Sequence, residues 1–217
     1  MSLASEPIAR QGFRAADVAM VGTGAALLVV CSLVAIPIGP SGAPITLQTF
    51  AVLLLGAALG SRRGSLAVLL YLAVGFAGLP VFAQATGGPA TFAKPTLGYL
   101  VAFPVAAWLV GLLVEQAARR GWRTHRGTPA DGATAGVRRL VAPSVVVAVA
   151  SVLGTVVVYA AGVPVLAGRL GMTLGEGLAV NNAFIPFDAV KIALVAVVAP
   201  AVHRAFPDLL ARQGAAG

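Results

Sequence analysis

PFDAVKIALVAVVAPAVHRAF, residues 186–206, decides the fold. A bilayer crossing takes about 20 mostly apolar residues, and this run has the length and the composition. Yet it carries a carboxylate, Asp188, and an ammonium, Lys191. Each ionisable group costs about 2.5–3.5 kcal/mol at the centre of a membrane helix, so groups kept there usually have a task. At i and i+3 the two side chains share a helix face, where they pair or jointly hold a polar ligand. Two plainer roles stay open. Pro186 suits the first helical position and puts Asp188 at the third, where the helix dipole favours a carboxylate. Lys191 could also snorkel along its stem to the interface. Read together, the pair predicts the floor of a small-molecule site.

The rest of the chain supports a lipid solvent. Of 217 residues, 59% are hydrophobic and 10% charged, with a mean hydropathy of +0.93. Soluble domains carry roughly 25% charged residues. The net charge of +8 does not signal nucleic acid, because the basic residues sit in short loops and form no stripe interleaved with aromatics. Working back from the last run, the pattern predicts spans at about 15–36, 45–60, 64–79, 96–114, 141–161 and 186–206. A polar cytoplasmic linker at about 116–140 joins the fourth to the fifth. The fold class is therefore all-α, a six-helix membrane bundle forming one domain over 1–217. No internal repeat and no cleavable signal peptide is expected.

Orientation follows from the basic residues. Arg10, Arg14, Arg62, Arg63, Arg119, Arg120, Arg123, Arg126, Arg138, Arg139, Arg204 and Arg212 are twelve of the fifteen, all on one side of this arrangement. The other side has Lys94 and Arg169. The positive-inside rule then places both termini in the cytoplasm. Segments 37–44, 81–95 and 162–182 become outer loops.

Those loops supply polar candidates. VFAQATGGPATFAKPT, residues 81–96, offers Gln84, Thr86 and Lys94, and Gly87 would let backbone approach a ligand closely. An ordinary surface turn is the alternative. Both lysines of the chain, Lys94 and Lys191, fall in the outer half. Gln48 could reach the pocket, while Thr46 caps the second helix. Asn181 and Asn182 are expected to cap the sixth helix, Tyr99 to line an apolar slot, and Trp108 to pack. Ala15, Ala19, Gly22 and Ala26 form a stripe of small residues, which in lipid marks helix contact, within the bundle or with another membrane subunit.

Several functions are excluded. There is no G-x-x-x-x-G-K-[ST] phosphate loop. His125 and His203 both belong to the cytoplasmic side, and no span holds a Ser–His, H-E-x-x-H or paired-carboxylate arrangement. The chain is not expected to be an enzyme or to hold a metal. Cys31 has no disulfide partner and reads as a small apolar filler.

Four segments in order carry a resemblance: PITLQTFAVLLLG at 44–56, GLPVFA at 78–83, PTLGYL at 95–100 and FIPFDAVK at 184–191. Together they resemble the BioY family, the substrate-binding S-components of energy-coupling-factor biotin transporters. The resemblance spans nearly the whole chain. It implies a six-helix bundle in the bacterial plasma membrane that binds biotin near the outer face. It also implies a transmembrane coupling subunit, cytoplasmic ATPase subunits that use the ATP, and transport by toppling of the bundle. Biotin is then cargo, and no cofactor is implied. The family's helix-six Asp and Lys fall on Asp188 and Lys191, with the lysine expected to favour the carboxylate. Gln84, Thr86, Gly87, Tyr99, Gln48 and Lys94 complete the expected site, and the stripe on helix one corresponds to the docking face. The chain departs from the family at Leu97 and Lys94, where glycine is usual, and at Gln84–Ala85, where small glycines are common. An S-component for another vitamin and a membrane scaffold without ligand are the competing readings.

Overall fold

A computed structural model describes residues 14–37, 43–122 and 133–211. Helix α1, Ala15–Leu33, buries one face through Gly24, Ala25, Leu28, Cys31 and Ser32. It stops three residues short of the expected end. Ala35–Pro37 instead forms a strand, β1, paired antiparallel with β2, Pro44–Thr46, with Ile36 opposite Ile45. Pro37 lacks the N–H that a continuing helix needs, and β-branched Ile36 suits an extended chain. Apart from this short hairpin the described fold is helical.

Helix α2, Gln48–Phe76, contains its own reversal. Gly60 has φ 84° and ψ 179°, a conformation essentially confined to glycine. The two arms lie side by side. A Cβ on Gly64 would fall 2.7 Å from the Leu55 carbonyl oxygen, and the Gln48 amide reaches the Tyr71 hydroxyl 23 residues away. The expected loop at Ser61–Arg63 is thus a correction: those residues are the first turn of the second arm. Ser61 N and Oγ donate to the buried Glu115 carboxylate at 2.7 and 3.1 Å. A carboxylate facing the orphan N–H groups of a helix start is stabilising. Glu115 therefore lies inside its helix as a partner of α2, not at a boundary.

Helix α3, Leu97–Ala117, continues as a π-turn, Ala118–Trp122. It packs closely on α2, since added Cβ atoms on Gly111 and Gly56 would strike the backbone of Gly60–Ser61 and of Ala107. Helix α4 runs from Ala133 to Leu170. The linker expected over 116–140 is thus helical at both ends, and the fifth span does not stop at residue 161. The segment 162–182 is likewise no open loop. Gly162 leaves room for the Tyr99 ring against α4, and the helix continues through Pro164 to Leu170. After a turn at Gly171 (φ 65°), helix α5, Leu174–Asn182, begins with a Thr173–Glu176 capping box. Helix α6, Ile185–Ala205, and the short α7, Asp208–Ala211, complete the order.

Two apolar cores meet at the first arm of α2. Leu28, Val52, Val68, Tyr71 and Ala106 fill one; Leu53, Val110, Val114, Val147 and Val195 fill the other. The outward faces are aliphatic too. Val145, Val149, Val152 and Val156 are each about half exposed along α4, as are Val190, Leu194 and Val197 along α6. Trp108, expected to pack inside, is also on the outside at 47% exposure. Helices that are apolar all round belong in lipid. Among the described residues five helices are long and apolar enough to cross a membrane, α2 counted once. The fold is an all-α polytopic membrane protein.

At one end of the bundle the buried Arg63 joins three segments. Its guanidinium pairs with Asp17 of α1 at 2.6 Å and donates to the Leu209 carbonyl of α7 at 2.9 Å.

Candidate binding site

At the other end, a cavity of about 220 Å³ opens between α2, α3, α4, α6 and the 77–96 loop. Its floor is α6. The helix begins at Ile185, one residue earlier than expected, so Asp188 occupies its fourth position and Lys191 lies one turn deeper. Lys191 Nζ is 2.7 Å from Asp188 Oδ1, and both side chains are 6% exposed. The other carboxylate oxygen accepts from the Tyr159 hydroxyl of α4. Asp188, Lys191 and Tyr159 thus form one acceptor–donor cluster facing the cavity.

Tyr99 lines the cavity and donates to Asn181 Oδ1 at 3.0 Å. This corrects the expectation for Asn181 and Asn182, which close α5; α6 has Phe184 at its N-cap, with no side-chain cap. Gln48 also lines the cavity, held in place at both ends of its amide: Thr46 Oγ1 donates to Oε1 at 3.1 Å and Nε2 donates to Tyr71. Thr46 in addition accepts from Gln48 N at 3.3 Å, but it is not the expected cap: Leu47 is the N-cap of α2, which has no side-chain cap.

The 77–96 loop forms the rim. Phe82 fits the Cβ-free face of Gly75 and meets Tyr71 and Phe76 edge-on, both with ring centroids 5.3 Å apart. Phe82 and Thr86 close a tight turn in which Gln84 (φ 61°) and Ala85 (φ 53°) are left-handed. That conformation costs an L-residue about 1–2 kcal/mol, a cost that glycine at either position would not carry. Thr86 Oγ1 donates to the Ala83 carbonyl at 2.9 Å and accepts from Lys94 Nζ at 2.7 Å. Partial burial pushes the Lys94 ammonium below the usual lysine range. Arg169 ties the loop to α4 by donating to the Phe92 carbonyl at 2.8 Å.

Seven of the eight expected contact residues therefore border one space: Asp188, Lys191, Gln84, Thr86, Tyr99, Gln48 and Lys94. Gly87 does not. A Cβ there would strike the Leu79 carbonyl, so this glycine serves loop packing. Sequence reasoning missed Tyr159 and Thr91, which also line the cavity. The only signal for Tyr159 was its being the one aromatic residue of the 141–161 span. Thr91 was passed over among its loop neighbours. Phe82, Leu100, Phe103 and Val158 supply apolar walls. The space suits a compact ligand with an apolar body, neutral hydrogen-bonding groups and a negative charge. Among the described residues no three His, Cys, Asp or Glu side chains gather as a metal site would require.

Ala15, Ala19 and Ala26 of the small stripe are exposed, and open space adjoins Gly22. The stripe therefore faces away from the bundle, opposite to Gly24, Ala25 and Leu28.

Comparison with known proteins gives a consistent answer. Residues 5–208 match the profile of the BioY family. The chain is 37% identical to the biotin transporter BioY of Rhodobacter capsulatus, over 91% of this chain and 98% of that protein. It is 34% identical to the biotin transporter BioY of Rhizobium etli, over 90% and 97%. A crystal structure of the S-component for biotin from an ECF-type ABC transporter superposes with a TM-score of 0.73, covering 87% of this chain and 91% of that one. At 24% identity that likeness establishes the shared fold. On the full-length matches, the chain belongs to the BioY family.

Proposed function

We propose that this chain captures biotin and delivers it as the S-component of an energy-coupling-factor transporter. It is a multi-pass protein of the bacterial plasma membrane and a transport protein, not an enzyme. One observation carries the reading: an apolar-walled cavity whose floor is the buried Asp188–Lys191–Tyr159 cluster. A ureido ring brings two N–H donors and one carbonyl acceptor, which a carboxylate and an ammonium three residues apart can meet together. The ring system's thioether side would rest on Phe82, Phe103 and Val158. Gln84, Thr86, Tyr99, Gln48 and Lys94 contribute further contacts, and Gly87 shapes the loop that carries them.

In this reading α2 crosses the membrane twice, its arms meeting at Gly60, so that there are six spans in one domain over 1–217. The arginine-rich end, with both termini, faces the cytoplasm, and the cavity opens outside. The outward stripe of Ala15, Ala19, Gly22 and Ala26 is the docking face for a transmembrane coupling subunit, whose ATPase partners supply the energy. A scaffold role draws support from the 2.7 Å ion pair, which is satisfied within α6. Calorimetry on the purified protein separates the two. Biotin should release heat that riboflavin and thiamine do not reproduce, and Lys191→Ala should abolish it while the protein still inserts and purifies. No heat with wild type, or heat unchanged in the variant, sinks the proposal.

A further inference from the structure

The cavity carries an uncompensated charge. Among its described lining residues are two ammonium groups, Lys94 and Lys191, and one carboxylate, Asp188. Asp188 is already committed, with Lys191 at 2.7 Å on one oxygen and Tyr159 on the other. Lys94 has no counterpart. Among the described residues its ammonium donates to Thr86 Oγ1 alone, and no carboxylate pairs with it. An ammonium has three protons to give, so at least two remain for a ligand.

A second polar group points the same way from the same loop. The Thr91 hydroxyl, three residues before Lys94, belongs to a side chain only 1% exposed, lines the cavity, and has no hydrogen-bond partner among the described residues. A buried hydroxyl left without a partner is costly, and an entering oxygen acceptor would relieve it. Cation and hydroxyl therefore sit together on the 89–94 turn, on a different element from the α6 cluster.

We propose that Lys94, assisted by the Thr91 hydroxyl, is the subsite for the ligand's carboxylate, and that the Asp188–Lys191–Tyr159 cluster is left to the neutral ureido ring. The assignment rests on the biotin reading above and revises the expectation that Lys191 favours the carboxylate. Charge balance decides it. A monoanion placed at Lys94 neutralises the cavity, whereas one placed at Lys191 would adjoin Asp188 and leave Lys94 unpaired.

The test compares biotin with its uncharged carboxamide by calorimetry on the full-length protein in detergent. Wild type should prefer biotin by on the order of 10- to 100-fold, the worth of a charge-assisted contact. Lys94→Gln should erase that preference by weakening biotin while the carboxamide binds as before. Lys94→Arg should keep it, and Thr91→Val should weaken biotin several-fold. If Lys94→Gln leaves the preference intact, or wild type binds both compounds equally, the carboxylate lies elsewhere and the subsite is overturned while the biotin reading stands. If wild type binds neither, the biotin reading itself fails, and this assignment with it.

Discussion

Both oxygens of the Asp188 carboxylate are occupied, one by the Lys191 ammonium and the other by the Tyr159 hydroxyl. Tyr159 thus holds the acceptor that a ureido N–H would use. Tyr159→Phe should weaken biotin by roughly tenfold, the scale of a hydrogen bond to a charged group. Calorimetry reads this, and a thermal melt of the unliganded variant should move little; unchanged affinity would remove Tyr159 from the site. At this scale much was legible beforehand. Asp188, Lys191 and Lys94 stood out because an apolar chain rarely keeps such groups. Tyr159 and Asn181 did not, because their roles depend on partners 29 residues later and 82 residues earlier. No local pattern encodes such pairings.

At the scale of elements, the α2 hairpin shows how a reversal can be reduced to one residue. Gly60 turns the chain, Glu115 receives the N–H groups freed at Ser61, and Gly111 gives α3 room to press against the turn. Gly60→Ala should cost about 1–3 kcal/mol, the usual charge for a side chain in that conformation. It would appear as a lower melting temperature in detergent, and an unchanged melt would count against the hairpin. The sequence made the turn visible but misplaced its extent, since a serine and two arginines look like a loop. What keeps them helical is a carboxylate 54 residues away. The overrun of α4 has the same origin. The expected span ends before Gly162, yet α4 continues to Leu170 with the Tyr99 ring against Gly162 and with Val163, Leu166 and Ala167 buried.

For the whole molecule, composition alone foretold a membrane bundle, and the half-exposed valines of α4 and α6 give that conclusion its geometry. Orientation is tested with single cysteines in a Cys31→Ala background. Ala90→Cys, on the cavity-side loop, should react with a membrane-impermeant maleimide in intact cells. Arg120→Cys, at the far end of α3, should react only after permeabilisation, and the reverse pattern would overturn the cytoplasmic assignment of the termini. Arg63 has a consequence of its own for the assembled protein. One nearly water-free guanidinium fastens the opening helix to the closing one through Asp17 and Leu209. Clipping the chain behind Phe206 would strip an acceptor from that cation, so the short tail works as a rivet that adds to the packing of both helices on α2.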